Sequence, residues 1–551
     1  MWLYLLEAPF LYKSVKFFED TMEVLMLLIV LLLILFFGVM VGVGVYSRKN
    51  ATDVNGFVLG GRSVGPWLTA FAFGTSYFSA VIFVGYAGQF GWLFGLSSTW
   101  AGLGNAFIGS LLAWNILGRR TRIMTQHLDA KTMPDFFGKR FNSTPLKVVA
   151  SLIVFLFLIP YTASLYNGLS SLFGLVFNIP YWVVILIMAV LTGFYVIFGG
   201  YMATAINDFI QGLIMLVGIV AVILAVLSQN GGLLAATQKL SAVPAEGWTG
   251  GAFTSFFGPD PLFLFFVVIL TSLGTWGLPQ MVGKFYAIKS EKAIQKGTII
   301  STIFAIIVAG GCYFLGGFGR LYADKISFSA NGKPLFDSIV PAMLSTLPTI
   351  IIAVVIVLVL SASMSTLSSL VLTSSSTFTL DVIKPASKNE MTEKKQVLIM
   401  RVFIVFFIIV SALIAVFKDA NPGVTFIAQM MGVSWGGLAG AFLAPYLYGL
   451  YWKGVTKAST VVCFIWGTGL AITQFVISMT GVNVATWPSF FALMFKTSLH
   501  SGVFAMVGGL IMVPIVSLFT KKMEKAKVDE MFTCYEEKVE VTKKVALKDE
   551  E

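Results

Sequence analysis

Residues 360–381 read LSASMSTLSSLVLTSSSTFTLD. The apolar frame has the length of a membrane-spanning helix, yet it carries hydroxyls at Ser361, Ser363, Ser365, Thr366, Ser368, Ser369, Thr373, Ser374, Ser375, Ser376 and Thr377. A hydroxyl in hydrocarbon costs free energy unless it finds a partner, so this helix belongs inside a bundle, against a wet cavity or a bound ion. No carboxylate lies between Leu360 and Leu380, so a cation held there would be coordinated by neutral oxygen. The competing reading is plain packing, in which Ser and Thr donate back to the preceding turn or let backbones approach closely.

The rest of the chain is of the same character. Of its 551 residues 57% are hydrophobic and 11% charged, which makes lipid the main solvent. The apolar runs are continuous and helix-length, whereas barrel strands would alternate over about ten residues, so the chain reads as an all-α polytopic membrane protein. Runs near 24–46, 66–92, 95–117, 146–172, 179–199, 205–228, 262–285, 297–318, 348–380, 398–417, 424–450, 458–480 and 500–520 give about 13 transmembrane helices at roughly twenty residues per crossing. Seven parts follow: an N-terminal interfacial segment (1–23), a first span and linker (24–64), a first repeat (65–228), an external loop (229–261), a second repeat (262–450), two C-terminal spans (451–520) and a charged cytoplasmic tail (521–551) too short and polar to fold as a domain.

The net charge of +11 resides in loops and tail. It sets membrane orientation and attracts anionic lipid; no basic stripe on a soluble domain exists to track nucleic acid. Of the 37 Lys and Arg residues, roughly 29 fall on one side if the N-terminus is outside and the C-terminus cytoplasmic, an asymmetry that favours this orientation in the cell membrane. Lys284 is counted there with Lys289, Lys292 and Lys296 as a loop cation, which leaves no Arg or Lys near the middle of a core span. A bound carboxylate would then be met by half-helix N-termini, hydroxyls or a co-bound cation. Cys312, Cys463 and Cys534 have no metal spacing. There is no G-x-x-x-x-G-K-[ST] loop and hence no sign of ATP drive.

Polar positions inside spans mark function. The second span contains Phe73-Gly-Thr-Ser-Tyr-Phe-Ser79, a Gly and several hydroxyls midway, where an opened helix would free carbonyls such as those of Thr75 and Phe78 for a cation. The seventh carries Ser272-Leu-Gly-Thr-Trp-Gly-Leu-Pro-Gln280, in which Pro279 removes a helix hydrogen bond. Two interrupted helices five spans apart point to an inverted repeat with a site between its halves. Asp208, in GGYMATAINDFIQG (199–212), stands at the cytoplasmic mouth of a span, where it can cap the next helix, draw a departing cation, or do both.

These residues resemble the sodium:solute symporter family, which includes carriers of proline, pantothenate, sialic acid, sugars and short monocarboxylates. The resemblance covers about residues 25–520. It rests on Gly60-Gly61-Arg62, Pro134-Asp135-Phe136-Phe137 with Arg140-Phe141, the 199–212 segment, Met364-Ser365-Thr366-Leu367-Ser368 running to Asp381, and Gly449-Leu450-Tyr451-Trp452-Lys453. Asn207-Asp208 with Gln211-Gly212, and Gly277-Leu278-Pro279, look most like the pantothenate branch.

The resemblance implies a LeuT-like core of five plus five inverted helices. It implies a co-transported sodium ion held by the carbonyls of Thr75, Phe78 and Ala362 and the hydroxyls of Ser365 and Thr366, with Asp208 on the ion's release path. Ser79, Val81, Ile82, Tyr161, Ser272, Thr275 and Trp276 become candidates to line the substrate. Thr275 stands where some sugar and proline carriers have an aromatic gate, and Val81 and Ile82 replace the polar pair of sugar carriers. An apolar wall discriminates a sugar poorly.

The expected function is sodium-coupled symport of a small organic solute, an organic acid such as pantothenate or a monocarboxylate, or an amino acid such as proline. The alternative is a proton-coupled symporter on the same scaffold with Asp208 titrating. An enzyme needs paired titratable groups in a cavity, and His127 and His500 fall in or near loops. A channel needs a selectivity-filter ring, and none appears.

Overall fold

The computed structural model describes residue 27 and residues 29–177, 180–329, 332–419 and 427–536. The segment 1–23 and the end of the tail lie outside the described residues. Among the described residues the elements are all helical, with no strand.

Nine of these helices are long and apolar enough to cross a membrane, or ten if the bent pair Pro261–Gly277 and Pro279–Ala287 is one span. The expected thirteen crossings do not appear as thirteen separate helices of that kind. Tyr181–Gln229 is one 49-residue run kinked at Gly200. Val81–His127 is a 47-residue run that contains Gly95 at φ 62°. Pro66–Tyr77 has 12 residues because it stops at a break.

The kink at Gly200 shows how sequence sets the path. Its backbone sits at φ 54° and ψ −144°, a region that side chains disfavour. A Cβ there would also lie 2.8 Å from the Phe57 carbonyl oxygen. The short helix Val54–Leu59, capped by the Asp53 carboxylate on the Gly56 N–H, brings Phe57 to that place. Gly200→Ala is therefore expected to destabilise the fold by about 1–3 kcal/mol. A melting curve in detergent checks this, and an unchanged midpoint would speak against the strain.

The hydroxyl helix Thr349–Phe378 lies at the centre, packed against Tyr181–Gln229, Thr144–Phe177, Glu393–Asp419 and Pro66–Tyr77. Every hydroxyl named above is buried except Thr373, which is partly covered. At its end Asp381 is buried and accepts from Thr132 Oγ1 at 2.5 Å, which ties the helix to the basic loop. Thr132 in turn caps Met133–Arg140.

The tail differs from a free charged segment over its first part. Lys525–Phe532 forms a helix whose Val528 and Phe532 are buried. The Arg140 guanidinium lies 5.2 Å from the Phe532 ring, and Lys453 pairs with Asp529 at 2.7 Å. Arg140 is itself fully buried and donates to the carbonyls of Gly449 and Trp452. The sequence shows the charge of this stretch, but the apolar face that docks it is two residues wide.

Candidate functional site

Two helices open within the bundle. In Pro66–Tyr77 the backbone ladder ends with the Phe78 N–H on the Gly74 carbonyl at 2.9 Å, and Phe78 leaves helical geometry at φ −94° and ψ 85°. The chain resumes as a π-helical turn over Val81–Tyr86. The Thr75 carbonyl, next in line after Gly74, is taken instead by hydroxyls from the central helix. Ser365 Oγ donates to it at 3.2 Å and Thr366 Oγ1 at 3.0 Å. The same hydroxyls also reach the Ala362 carbonyl at 3.3 and 3.2 Å. Four of the five proposed sodium ligands thus meet at one point, because residues three and four apart share a helix face. The fifth, Phe78, stands at the break itself and lines a small void together with Ala362 and Ser79.

The other hydroxyls of the central helix divide by role. Ser368, Ser375, Ser376 and Thr377 bond back to carbonyls of their own helix, which is the packing role. Ser369 reaches outward. It shares a 2.7 Å hydrogen bond with Ser76 and accepts from the Lys284 ammonium at 2.9 Å.

The second break follows Leu273, with a single 3₁₀ turn over Gly274–Gly277 and extended backbone at Leu278. Pro279 then opens a half-helix bent by 47° from the first. Of the substrate candidates on this span, Ser272 lies 3.2 Å from the Asn105 side-chain amide, Thr275 donates to the Gly109 carbonyl and the Trp276 indole to that of Ile108. All three therefore face the third span. Ser79 and Tyr161 form a separate group across the bundle, and Val81 and Ile82 are buried in the π-helical turn beside it.

Trp435, which the sequence reading passed over, joins the two groups. Its ring packs edge-on to Tyr161 at 6.1 Å, tilts over Tyr77 at 5.9 Å and comes within 3.6 Å of where a Gly274 Cβ would stand. The Tyr161 hydroxyl faces Ser79 and the Trp435 indole N–H, yet none of the three closes a hydrogen bond of normal geometry. Buried polar groups left open in this way are what a polar ligand would satisfy. The signal was present: a tryptophan followed by Gly436 and Gly437 in mid-span, away from the interfaces where tryptophans gather.

Two charges are placed differently from expectation. Asp208 does not cap a helix at a span mouth. It stands eight residues beyond Gly200, about 12 Å along the helix, and is fully buried. Lys284 is not a loop cation. The bend at Leu278 and Pro279 turns its half-helix into the bundle, where Lys284 is 3% exposed with its ammonium 3.6 Å from the Asp208 carboxylate. A bound carboxylate in the core would thus meet the Lys284 ammonium already paired. Asp208, Lys284, Ser369 and Ser76 form one polar chain that ends beside Thr75.

A helical bundle with two spans opened at mid-depth and polar groups gathered between them defines the LeuT-like class of membrane transporters. The model of the sodium:solute symporter family matches residues 57–467, and the chain belongs to that family. It is 29% identical over 499 residues to an osmoregulated proline transporter of Bacillus subtilis (strain 168), covering 89% of this chain and 95% of that one. It is 28% identical over 508 residues to a sodium/proline symporter of Staphylococcus aureus (strain JH9), covering 89% and 92%. A solved structure of a Na+-coupled sialic acid symporter, substrate-bound and outward-open, shares the fold with a TM-score of 0.66 at 17% identity, covering 89% of this chain and 97% of that one. The protein is accordingly a multi-pass membrane transporter and not an enzyme.

Proposed function

We propose that this protein couples the inward movement of sodium to uptake of a small zwitterionic or anionic solute, an amino acid of the proline kind or a small organic acid, by alternating access. The observation that carries the reading is the meeting of the Ser365 and Thr366 hydroxyls with the Thr75 and Ala362 carbonyls at a helix break. Neutral oxygens around a hard cation give an affinity modest enough for the ion to bind and leave in each cycle. Sodium shifts the conformational equilibrium because it bridges the broken second span and the central helix, and it does so through its differential affinity for the state in which they are close.

The solute would lie between the two breaks, against Ser79, Tyr161, Trp435 and Trp276, with Val81 and Ile82 as an apolar wall. The names of the two relatives favour an amino acid. By the distribution of basic residues the N-terminus is outside and the C-terminus cytoplasmic. Asp208, held by Lys284, lies on the inward side of the sodium site, where a leaving ion would meet its carboxylate.

The test is uptake of labelled proline, and of a panel of small acids, into proteoliposomes with sodium or proton gradients imposed separately. Uptake driven by sodium alone is the expected result. Uptake that follows the proton gradient and ignores sodium would replace this reading with proton coupling through the buried Asp208–Lys284 pair.

A further inference from the structure

We propose that the cleft between the first part of Tyr181–Gln229 and the helix Glu393–Asp419 binds one anionic phospholipid, its headgroup at the basic end and an acyl chain along the cleft. The proposal rests on the chain being embedded in a membrane and is independent of the ion it carries.

At one end of the cleft lies a cavity of about 600 Å³ lined by Arg48, Lys49, Lys394 and Arg401, with no acid in its wall. Lys394 and Arg401 are seven residues apart on one helix and so share a face, while Arg48 and Lys49 close the first spanning helix. None of the four takes part in an ion pair among the described residues. Arg401 is held in place by its Nε, which donates to the Ile197 carbonyl at 2.9 Å. Four cations around one cavity with no counter-charge repel one another, and an anion relieves that repulsion.

Phe198 forms part of this cavity and also part of a second space of about 690 Å³ whose lining is entirely apolar. That groove runs between the same two helices up to Trp182. Sixteen residues of helix from Trp182 to Phe198 span about 24 Å, more than the ~15 Å depth of one leaflet's hydrocarbon. The two spaces together therefore have the shape of a single amphiphile, with a charged head pocket opening directly onto a chain-length apolar slot. A soluble phosphate would use the first and leave the second empty. A zwitterionic lipid would fill the slot but bring no net charge to the four cations.

The experiment measures lipid binding to the full chain in mild detergent by native mass spectrometry, with phosphatidylglycerol titrated against phosphatidylcholine. Phosphatidylglycerol is expected to be retained in preference, and Lys49→Gln/Lys394→Gln to lower that preference roughly 25-fold, at about fivefold per cation removed. This variant keeps Arg401 and its backbone contact, so the helix packing is preserved. Lys292→Gln/Lys296→Gln, which removes two cations outside the cavity, is expected to leave the preference unchanged. Equal retention of the two lipids by the native chain, a preference that survives K49Q/K394Q, or full displacement of phosphatidylglycerol by millimolar inorganic phosphate would each overturn the proposal.

Discussion

Replacing Ser365 and Thr366 together by alanine is expected to raise the sodium concentration that gives half-maximal uptake by about 100-fold or more. The two side chains supply two of five proposed oxygens, and each already points at the Thr75 and Ala362 carbonyls. A polar contact to a charged group contributes about 1.5–3 kcal/mol, which is roughly tenfold or more in affinity for each one lost. The buried Thr75 carbonyl loses both of its hydroxyl donors, which costs the fold about 1–3 kcal/mol, so folded yield is measured beside uptake. Ser375→Ala is the matched control. That hydroxyl donates to the Leu372 carbonyl of its own helix, so its loss should leave sodium dependence as it was. Sodium-dependence curves in proteoliposomes distinguish the two, and unchanged curves for the double variant would dismiss the site.

Lys284→Met is expected to be among the most damaging single changes outside that site. It strips the cation from a carboxylate that is fully buried, and breaking a buried pair in this way costs about 3–5 kcal/mol. The ammonium also donates to Ser369, which shares a hydrogen bond with Ser76, so the change loosens three helices at once. Asp208→Asn/Lys284→Met should recover much of the loss, since it removes both charges together. Thermal midpoints and folded yield in detergent measure the effect. If the double variant is as unstable as the sum of the singles, the two residues are not coupled and the polar chain has no energetic standing.

The fold was legible where chemistry and periodicity met on one segment. The hydroxyl run at 360–381 could not face lipid, and it is enclosed as expected. The breaks stand where Gly74 to Ser79 and Gly274 to Pro279 weaken the helix, since glycine, proline and hydroxyls act on the local backbone and carry that information with them. What stayed hidden depends on direction rather than composition. Lys284 stands near the end of its apolar run, followed by Phe-Tyr-Ala-Ile-Lys-Ser, and reads as the start of a loop, until the bend at Leu278 turns it inward. Asp208 looked like a cap because the kink that opens its segment is carried by Gly200, eight residues earlier. The role of Trp435 needed Tyr161 and Gly274 to be beside it, and no spacing along the chain announces that contact.

The pairing of Lys284 with Asp208 also bears on how a membrane potential acts on the cycle. A lone carboxylate at that depth would move through the field whenever the bundle rearranged, at a cost of up to about 2.3 kcal/mol per 100 mV for a full crossing. With its counter-charge beside it, the pair presents no net charge to the voltage. In the proposed cycle the electrical work would then fall on the travelling cation, and reorientation of the empty carrier would be silent at this position.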